Sequence, residues 1–200
     1  VIRIAGKGTF VKSESLQGTK EKPLLVGVVM SDHSSVFGSS FIQGVQSVCI
    51  EHGALAIPTM PYQKQEDEAA EISRLINHGV SGIILMPLHS STYNPIILSN
   101  LLTGFPMVMA DRYLPGLSVP YVGTNNVESA KEITRYLFAR GHKRIAFISS
   151  MATTTTLKER IEGYMLAYAR SNFSVNRRHM LTDLQSTMPG FCNPENLQKD

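Results

Sequence analysis

Cysteine is scarce in this 200-residue chain, with Cys49 and Cys192 its two examples. Their separation suits neither a disulfide framework nor the paired spacing of a zinc site, so both are expected to be reduced thiols. Long apolar runs are missing too. The longest, PLLVGVVM and GIILMPL, are far too short to cross a bilayer and are broken by Gly or Pro, so no membrane span is expected. The start has no apolar segment behind basic residues and no small-residue cleavage site, which points to a cytoplasmic protein. No serine stands between the glycines of a nucleophile elbow, and the six histidines include no pair four residues apart. Hydrolytic and metal-dependent chemistry therefore lack their usual signatures, and neither an enzyme, a cofactor nor a metal is expected.

What the chain does have is enough apolar content, 42%, to build a substantial core. Its net charge of +3 is unevenly placed. Residues 1–22 hold Arg3, Lys7, Lys12, Lys20 and Lys22 against Glu14 and Glu21, which leaves fourteen residues of each sign in the remainder. All of the excess lies at the N-terminal end, where it would draw a polyanion or serve as a basic linker.

The opening VIRIAGKGTFV reads as strand, glycine-containing turn and strand, the pattern of a β-hairpin. A phosphate loop is excluded there, because Lys7 is followed by Gly8 and Phe10-Val11 continues a strand instead of opening a helix. Residues 13–23, polar and ended by Pro23, read as a linker.

From residue 24 short apolar runs alternate with amphipathic helices. Strands are expected at 24–30, 54–59, 81–87, 106–111 and near 121, and helices at 39–53, 65–79, 94–102 and 126–141. The inward residues are Phe41, Val45, Val48 and Cys49 in the first helix, Ala69, Ile72, Leu75 and Ile76 in the second, and Ala130, Ile133, Leu137 and Phe138 in the fourth. His52 and His78 each precede a helix-stopping glycine, where the helix dipole favours them. Such alternation specifies a doubly wound parallel sheet with helices on both faces. The same order restarts with a strand at 144–150, a helix at 156–171 whose inner face is Ile161, Met165, Tyr168 and Ala169, and a strand near 179–183. It then fades, so a second α/β lobe is expected to be truncated. The divisions are thus residues 1–12, a hairpin; 13–23, a linker; 24–141, the first lobe; and 142–200, an incomplete second lobe.

Ligands of parallel sheets sit beyond the carboxyl ends of the strands. The loops there carry Asp32, Ser34, Ser35, Phe37, Asp111, Arg112, Asn125 and Asn126: short hydrogen-bonding groups, an aromatic ring and a guanidinium, a set that could take a hydroxyl-rich ligand. Ordinary loop residues would have much the same composition, and the residues alone leave both readings open.

Two resemblances bear on the choice. The landmarks VGVVMSDHSSVF, FIQGVQSVCIEHG, GVSGIILMP, FPMVMADRYLPGLSVPYVGTNN, ARGHKRIAFIS and KERIEGYMLAY, in that order, make residues 24 to about 183 similar to the effector-binding module of the LacI/GalR family, which is related to periplasmic sugar-binding proteins. Residues 6–11 resemble the Gly-Lys-Gly-Thr-Phe-Val hairpin that ends the winged helix-turn-helix domain of the GntR family. Together they imply a periplasmic-binding-protein-like α/β fold behind the remnant of a winged helix.

The implied function is a DNA-binding transcriptional repressor with operator DNA as partner, a mono- or disaccharide effector between its lobes, and a homodimeric assembly. Carried over by position, Asp32, Ser34, Ser35, Phe37, Asp111-Arg112, Asn125-Asn126 and Arg160 become effector-binding, with Ser35-Val36 departing from the family's Asn-Pro and Asn125 from its usual Asp. Arg3, Gly6, Lys7, Gly8 and Thr9 become DNA-binding. A sugar-binding protein of a transport system, and a doubly wound enzyme, are the rival expectations.

Overall fold

The computed structural model describes residues 2–4, 8–10, 23–30, 35–60, 64–88, 93–151 and 154–184. The first two segments form the expected hairpin. Strand β1 (Ile2–Ile4) pairs antiparallel with β2 (Gly8–Phe10), Arg3 facing Thr9 and Ile4 facing Gly8 in the register. Gly6 and Lys7, and the expected linker up to residue 22, lie outside the described residues.

Five parallel strands make the first sheet: β3 (Leu24–Val29), β4 (Ala54–Thr59), β5 (Gly82–Leu85), β6 (Met107–Ala110) and β7 (Tyr121–Val122), side by side in the order β4-β3-β5-β6-β7. The direction of winding reverses between β3 and β5, which opens a crevice at their carboxyl ends. Consecutive side chains of a strand face opposite ways, and β3 supplies both cores. Val29 joins Ile83, Leu85, Met107 and Met109 under Ile72 and Leu75 of helix α2 (Gln65–Asn77) and Ile97 of α3 (Pro95–Leu102). Val28 and Met30 join Met86 beneath Phe41, Ile42 and Val45 of α1 (Val36–Glu51). Each such side chain contributes roughly 1.5–3 kcal/mol when withdrawn from water, so the helices are held on both faces by burial, as the continuous apolar runs imply.

Local signals explain the element ends. Ser35 caps α1, its side chain accepting from the Gly38 N–H at 3.0 Å, and this starts the helix three residues before the expected position. Asn94 caps α3 with Pro95 in the first turn. Helices α1 and α2 stop at His52 and His78, where Gly53 and Gly79 adopt φ of 67° and 81°, the left-handed region that glycine enters without penalty.

The second sheet has two strands among the described residues, β8 (Phe147–Ser150) and β9 (Met180–Leu184), paired in parallel across helix α5 (Thr155–Ala169). Residues 144–146, expected to be strand, are irregular. Helix α4 (Asn126–Ala139), expected to complete the first lobe, packs on α5 instead. The reason lies at Gly163, where a Cβ would come within 2.9 Å of the Ala130 Cβ and closer still to the Val127 carbonyl oxygen. This close approach centres the contact on Gly163; Ala130 and Phe138 of α4 and Tyr168 of α5 face it as expected, while other expected residues do not. The buried residues of α5 are Thr155, Thr156, Gly163, Tyr164, Ala167 and Tyr168, while Met165 and Ala169 face solvent; on α4 Thr134 is buried and Ile133 is 57% exposed. Val48 of α1, also expected inside, is exposed. The Phe138 ring meets Tyr168 and Phe173 at centroid distances of 4.9 and 5.0 Å and locks the α4–α5 pair.

Candidate functional site

The carboxyl end of β6 carries the most constrained backbone of the described residues. Asp111 has φ of 60°, uncommon for a residue with a side chain, and the Arg112 N–H closes a three-residue turn on the Ala110 carbonyl at 2.6 Å. Strain of this kind persists where the surroundings enforce it. The enforcement is visible: the Asp111 N–H donates to the Val122 carbonyl at 2.9 Å, and the Tyr121 hydroxyl donates to the Asp111 carbonyl at 3.0 Å.

The turn aims Arg112 back across the strand ends. Its Nη1 donates to the Pro87 carbonyl at 3.4 Å, and its Nε lies 3.5 Å from Asp111 Oδ2. Burial lowers the affinity of the guanidinium for its proton, the Asp111 charge acting against this. An arginine stays charged under such a shift. Arg112 Nε is buried and makes no hydrogen bond among the described residues, only the ion pair. A buried charged donor that is short of an acceptor at a sheet's carboxyl edge is what a polar ligand would complete.

The start of α4 lies on the other side. Asn125 is exposed and caps α4, its Oδ1 accepting from the Glu128 N–H at 3.1 Å. Asn126 is buried, 1% exposed, and its amide is fully engaged: Nδ2 donates to the Thr124 carbonyl at 3.0 Å and to Glu159 Oε2 at 3.2 Å, while Oδ1 accepts from Arg160 Nε at 2.9 Å. Asn126 therefore holds Arg160; it does not itself face an open space. From the first lobe, Tyr113 reaches α5, its hydroxyl donating to Glu159 Oε1 at 2.6 Å and its backbone N–H to Thr155 Oγ1 at 3.2 Å. The hydrogen bond to Glu159, then burial and nearby negative charge, push the Tyr113 phenol up to about 12.

Of the expected effector residues, Asn126 and Arg160 are brought into contact, and Asp111-Arg112 adjoins Tyr113, which reaches the same α5. Ser35 is placed as a helix cap, and Phe37 is exposed and stacked on Phe41 at 6.3 Å. Asp32 and Ser34 lie outside the described residues. Of the expected DNA-binding residues, Arg3, Gly8 and Thr9 are on the paired strands of the hairpin.

Sequence reasoning missed Tyr113, Thr155, Glu159 and a buried carboxylate, Glu68. Glu68 Oε1 accepts from the Leu88 N–H at 3.0 Å and Oε2 from Asn94 Nδ2 at 3.1 Å, so both ends of the loop after β5 are tied to α2. Its position in the acidic first turn of α2 disguised it. Among the described residues no group of three His, Cys, Asp or Glu is placed to hold a metal ion, and no helix is long and apolar enough to cross a membrane.

Comparison with known proteins gives this geometry a context. The family model described as periplasmic binding proteins and sugar binding domain of LacI family matches residues 24–191. The HTH-type transcriptional regulator GalR of Salmonella typhimurium is 29% identical over 154 residues, 76% of this chain and 44% of the relative. The HTH-type transcriptional repressor CytR of Escherichia coli is 27% identical over 157 residues, with the same shares covered. The chain thus spans less than half the length of these curated relatives. The transcription regulator CcpA of Lactococcus lactis has the same fold, with a TM-score of 0.73 at 22% identity over 89% of this chain and 65% of that one. These relatives are of the LacI and GalR type and lend no support to a GntR-type winged helix, whose residues precede the matched region.

Proposed function

The chain belongs to the family of periplasmic binding proteins and LacI-family sugar-binding domains, and from this we propose that it is the sensing part of a transcriptional repressor, governed by a sugar bound between its lobes. The observation that carries the reading is the family match across residues 24–191, which covers both lobes. The constrained Asp111-Arg112 turn at the carboxyl end of β6 supports it, with a buried guanidinium whose Nε has an ion-pair partner but no hydrogen bond. In this reading Asp32, Ser34, Ser35, Phe37, Asp111, Arg112, Asn125 and Arg160 line the effector site, and Asn126 holds Arg160. The protein is cytoplasmic, acts as a homodimer on operator DNA and catalyses no reaction.

The boundary between the lobes is best set before α4, at residues 123–125, because that helix packs on α5. The hairpin β1–β2 is the DNA-facing tip of the head, Lys7 reaching the duplex and Arg3 its phosphates while Gly6 and Gly8 allow close approach and Thr9 pairs with the Arg3 strand. Assignment of that head to the GntR type rests on residues 6–11 alone. A sugar that binds the closed arrangement better than the open one would shift the dimer's geometry and so the match of the two heads to their half-sites.

Retention of promoter DNA by the complete protein, measured with and without each of a set of monosaccharides, tests the proposal. Sugar-dependent retention supports it. Sugar binding with no DNA retention would instead indicate a transport-associated binding protein, and turnover of the sugar an enzyme.

A further inference from the structure

One carboxylate stands where the two lobes meet. Glu159, in the second turn of α5, uses its two oxygens on two different elements: Oε1 accepts from the Tyr113 hydroxyl at 2.6 Å, and Oε2 from Asn126 Nδ2 at 3.2 Å. Tyr113 follows Asp111-Arg112 directly in the first lobe, and Asn126 in turn accepts from Arg160 Nε at 2.9 Å. A line of hydrogen bonds thus runs from Tyr113, next in sequence to the strained β6 turn, through Glu159 and Asn126 to the guanidinium of Arg160. We propose that Glu159 is a positioning residue that clasps the lobes through Tyr113 and sets Asn126 and Arg160 relative to Asp111-Arg112. The effector-site part of this inference rests on the function proposed above; the clasp itself does not.

Several features favour a clasp over incidental packing. The Tyr113 bond is short and charge-assisted, a class about twice as strong as neutral hydrogen bonds. Both donors to Glu159, the Tyr113 hydroxyl and the Asn126 amide, are neutral, so among the described residues the carboxylate charge is held by directed hydrogen bonds. A second link lies beside it, Thr155 Oγ1 receiving the Tyr113 N–H at 3.2 Å and standing 3.4 Å from its carbonyl oxygen. The Tyr113 ring is steadied by Tyr121, edge to face at 5.1 Å. Ring, backbone and hydroxyl of one first-lobe residue are all committed, two of the three to α5. The Asn126 arm lies within the second lobe and the Tyr113 arm crosses between lobes, so substitutions can separate them. Tyr113→Phe deletes the crossing arm alone. Glu159→Gln keeps one acceptor and presents a second donor, so it can satisfy only one arm.

The test uses the complete protein without added sugar. Hydrogen exchange, read by mass spectrometry, is followed in the peptide covering residues 111–117 and, as a check that the fold is intact, in α2. Tyr113→Phe and Glu159→Gln are each expected to speed exchange in 111–117 at least about tenfold, the double variant no more than the faster single one, with α2 unchanged. A second readout is the 13Cζ resonance of Tyr113, identified by its loss in Tyr113→Phe. The titratable groups around this phenol are Glu159 and Glu162 of α5 and Tyr121 of β7. In the parent protein Tyr113 should stay protonated through pH 11, and in Glu159→Gln it should ionise closer to the usual tyrosine value of about 10. Exchange unaltered by Tyr113→Phe, or a Tyr113 titration unaltered by Glu159→Gln, would overturn the clasp. Exchange that responds to Glu159→Gln but not to Tyr113→Phe would confine Glu159 to the second lobe and overturn it equally. None of these outcomes depends on DNA binding, so failure of the clasp and failure of the regulator reading are told apart.

Discussion

Glu68 illustrates what a single side chain can do unseen in the sequence. It looks like the third member of an acidic first turn, placed there for the helix dipole. It is buried because Leu88 and Asn94, twenty and twenty-six residues further on, offer it two donors. Glu68→Ala strands both donors away from water and should lower unfolding free energy by about 2–3 kcal/mol, whereas Glu71→Ala, which loses a surface pair with Arg74, should cost less than about 1 kcal/mol. Urea midpoints of the two variants give the comparison, and equal shifts would refute the assigned role of Glu68. Tyr113 carries a pH signature. Its phenol ionises higher in the folded protein, at about 12, than in the unfolded chain, so its contribution is complete below about pH 10 and is lost as pH rises through 12. The alkaline fall in melting temperature over that window should be shallower in Tyr113→Phe; an unchanged fall would show that Tyr113 adds nothing to it.

Among the elements, legibility followed locality. Strands β3 to β6 were readable because each is a continuous apolar run bounded by polar residues, and α3 because Asn94-Pro95 announces its start. The allegiance of α4 was not readable. Its periodicity shows that one face is apolar but not which partner covers it, and the deciding residue, Gly163, is a small residue inside another helix. The site divided along the same line. Topology points to loop residues at strand ends as candidates, but the Tyr113–Glu159 bond joins positions 46 residues apart and leaves no trace in spacing. Gly163→Ala should therefore force α4 from α5 at a cost of about 1–3 kcal/mol. Gly44→Ala in α1, where a Cβ meets nothing within 4 Å, should gain roughly 0.5–1 kcal/mol from helix propensity. Opposite signs in thermal unfolding would bear out the packing assignment, and a neutral Gly163→Ala would remove it.

At the scale of the whole molecule the β1–β2 hairpin precedes a domain of the LacI-family sugar-binding type, and the proposed order runs from reader to sensor. The charge excess confined to residues 1–22 fits a polyanion at that end, and the neutral remainder fits a sensor with no such partner. If Lys7 reaches DNA, Lys7→Ala in the complete protein should weaken operator binding by about 1–3 kcal/mol and leave the sugar response intact; unchanged operator affinity would remove Lys7 from the interface. The central claim meets its most direct test in fluorescence anisotropy of labelled promoter DNA, titrated with the complete protein in the absence and presence of each monosaccharide. The account predicts specific retention whose affinity one sugar alters at least tenfold. Retention indifferent to every sugar, or sugar binding by a protein that never retains DNA, would contradict it.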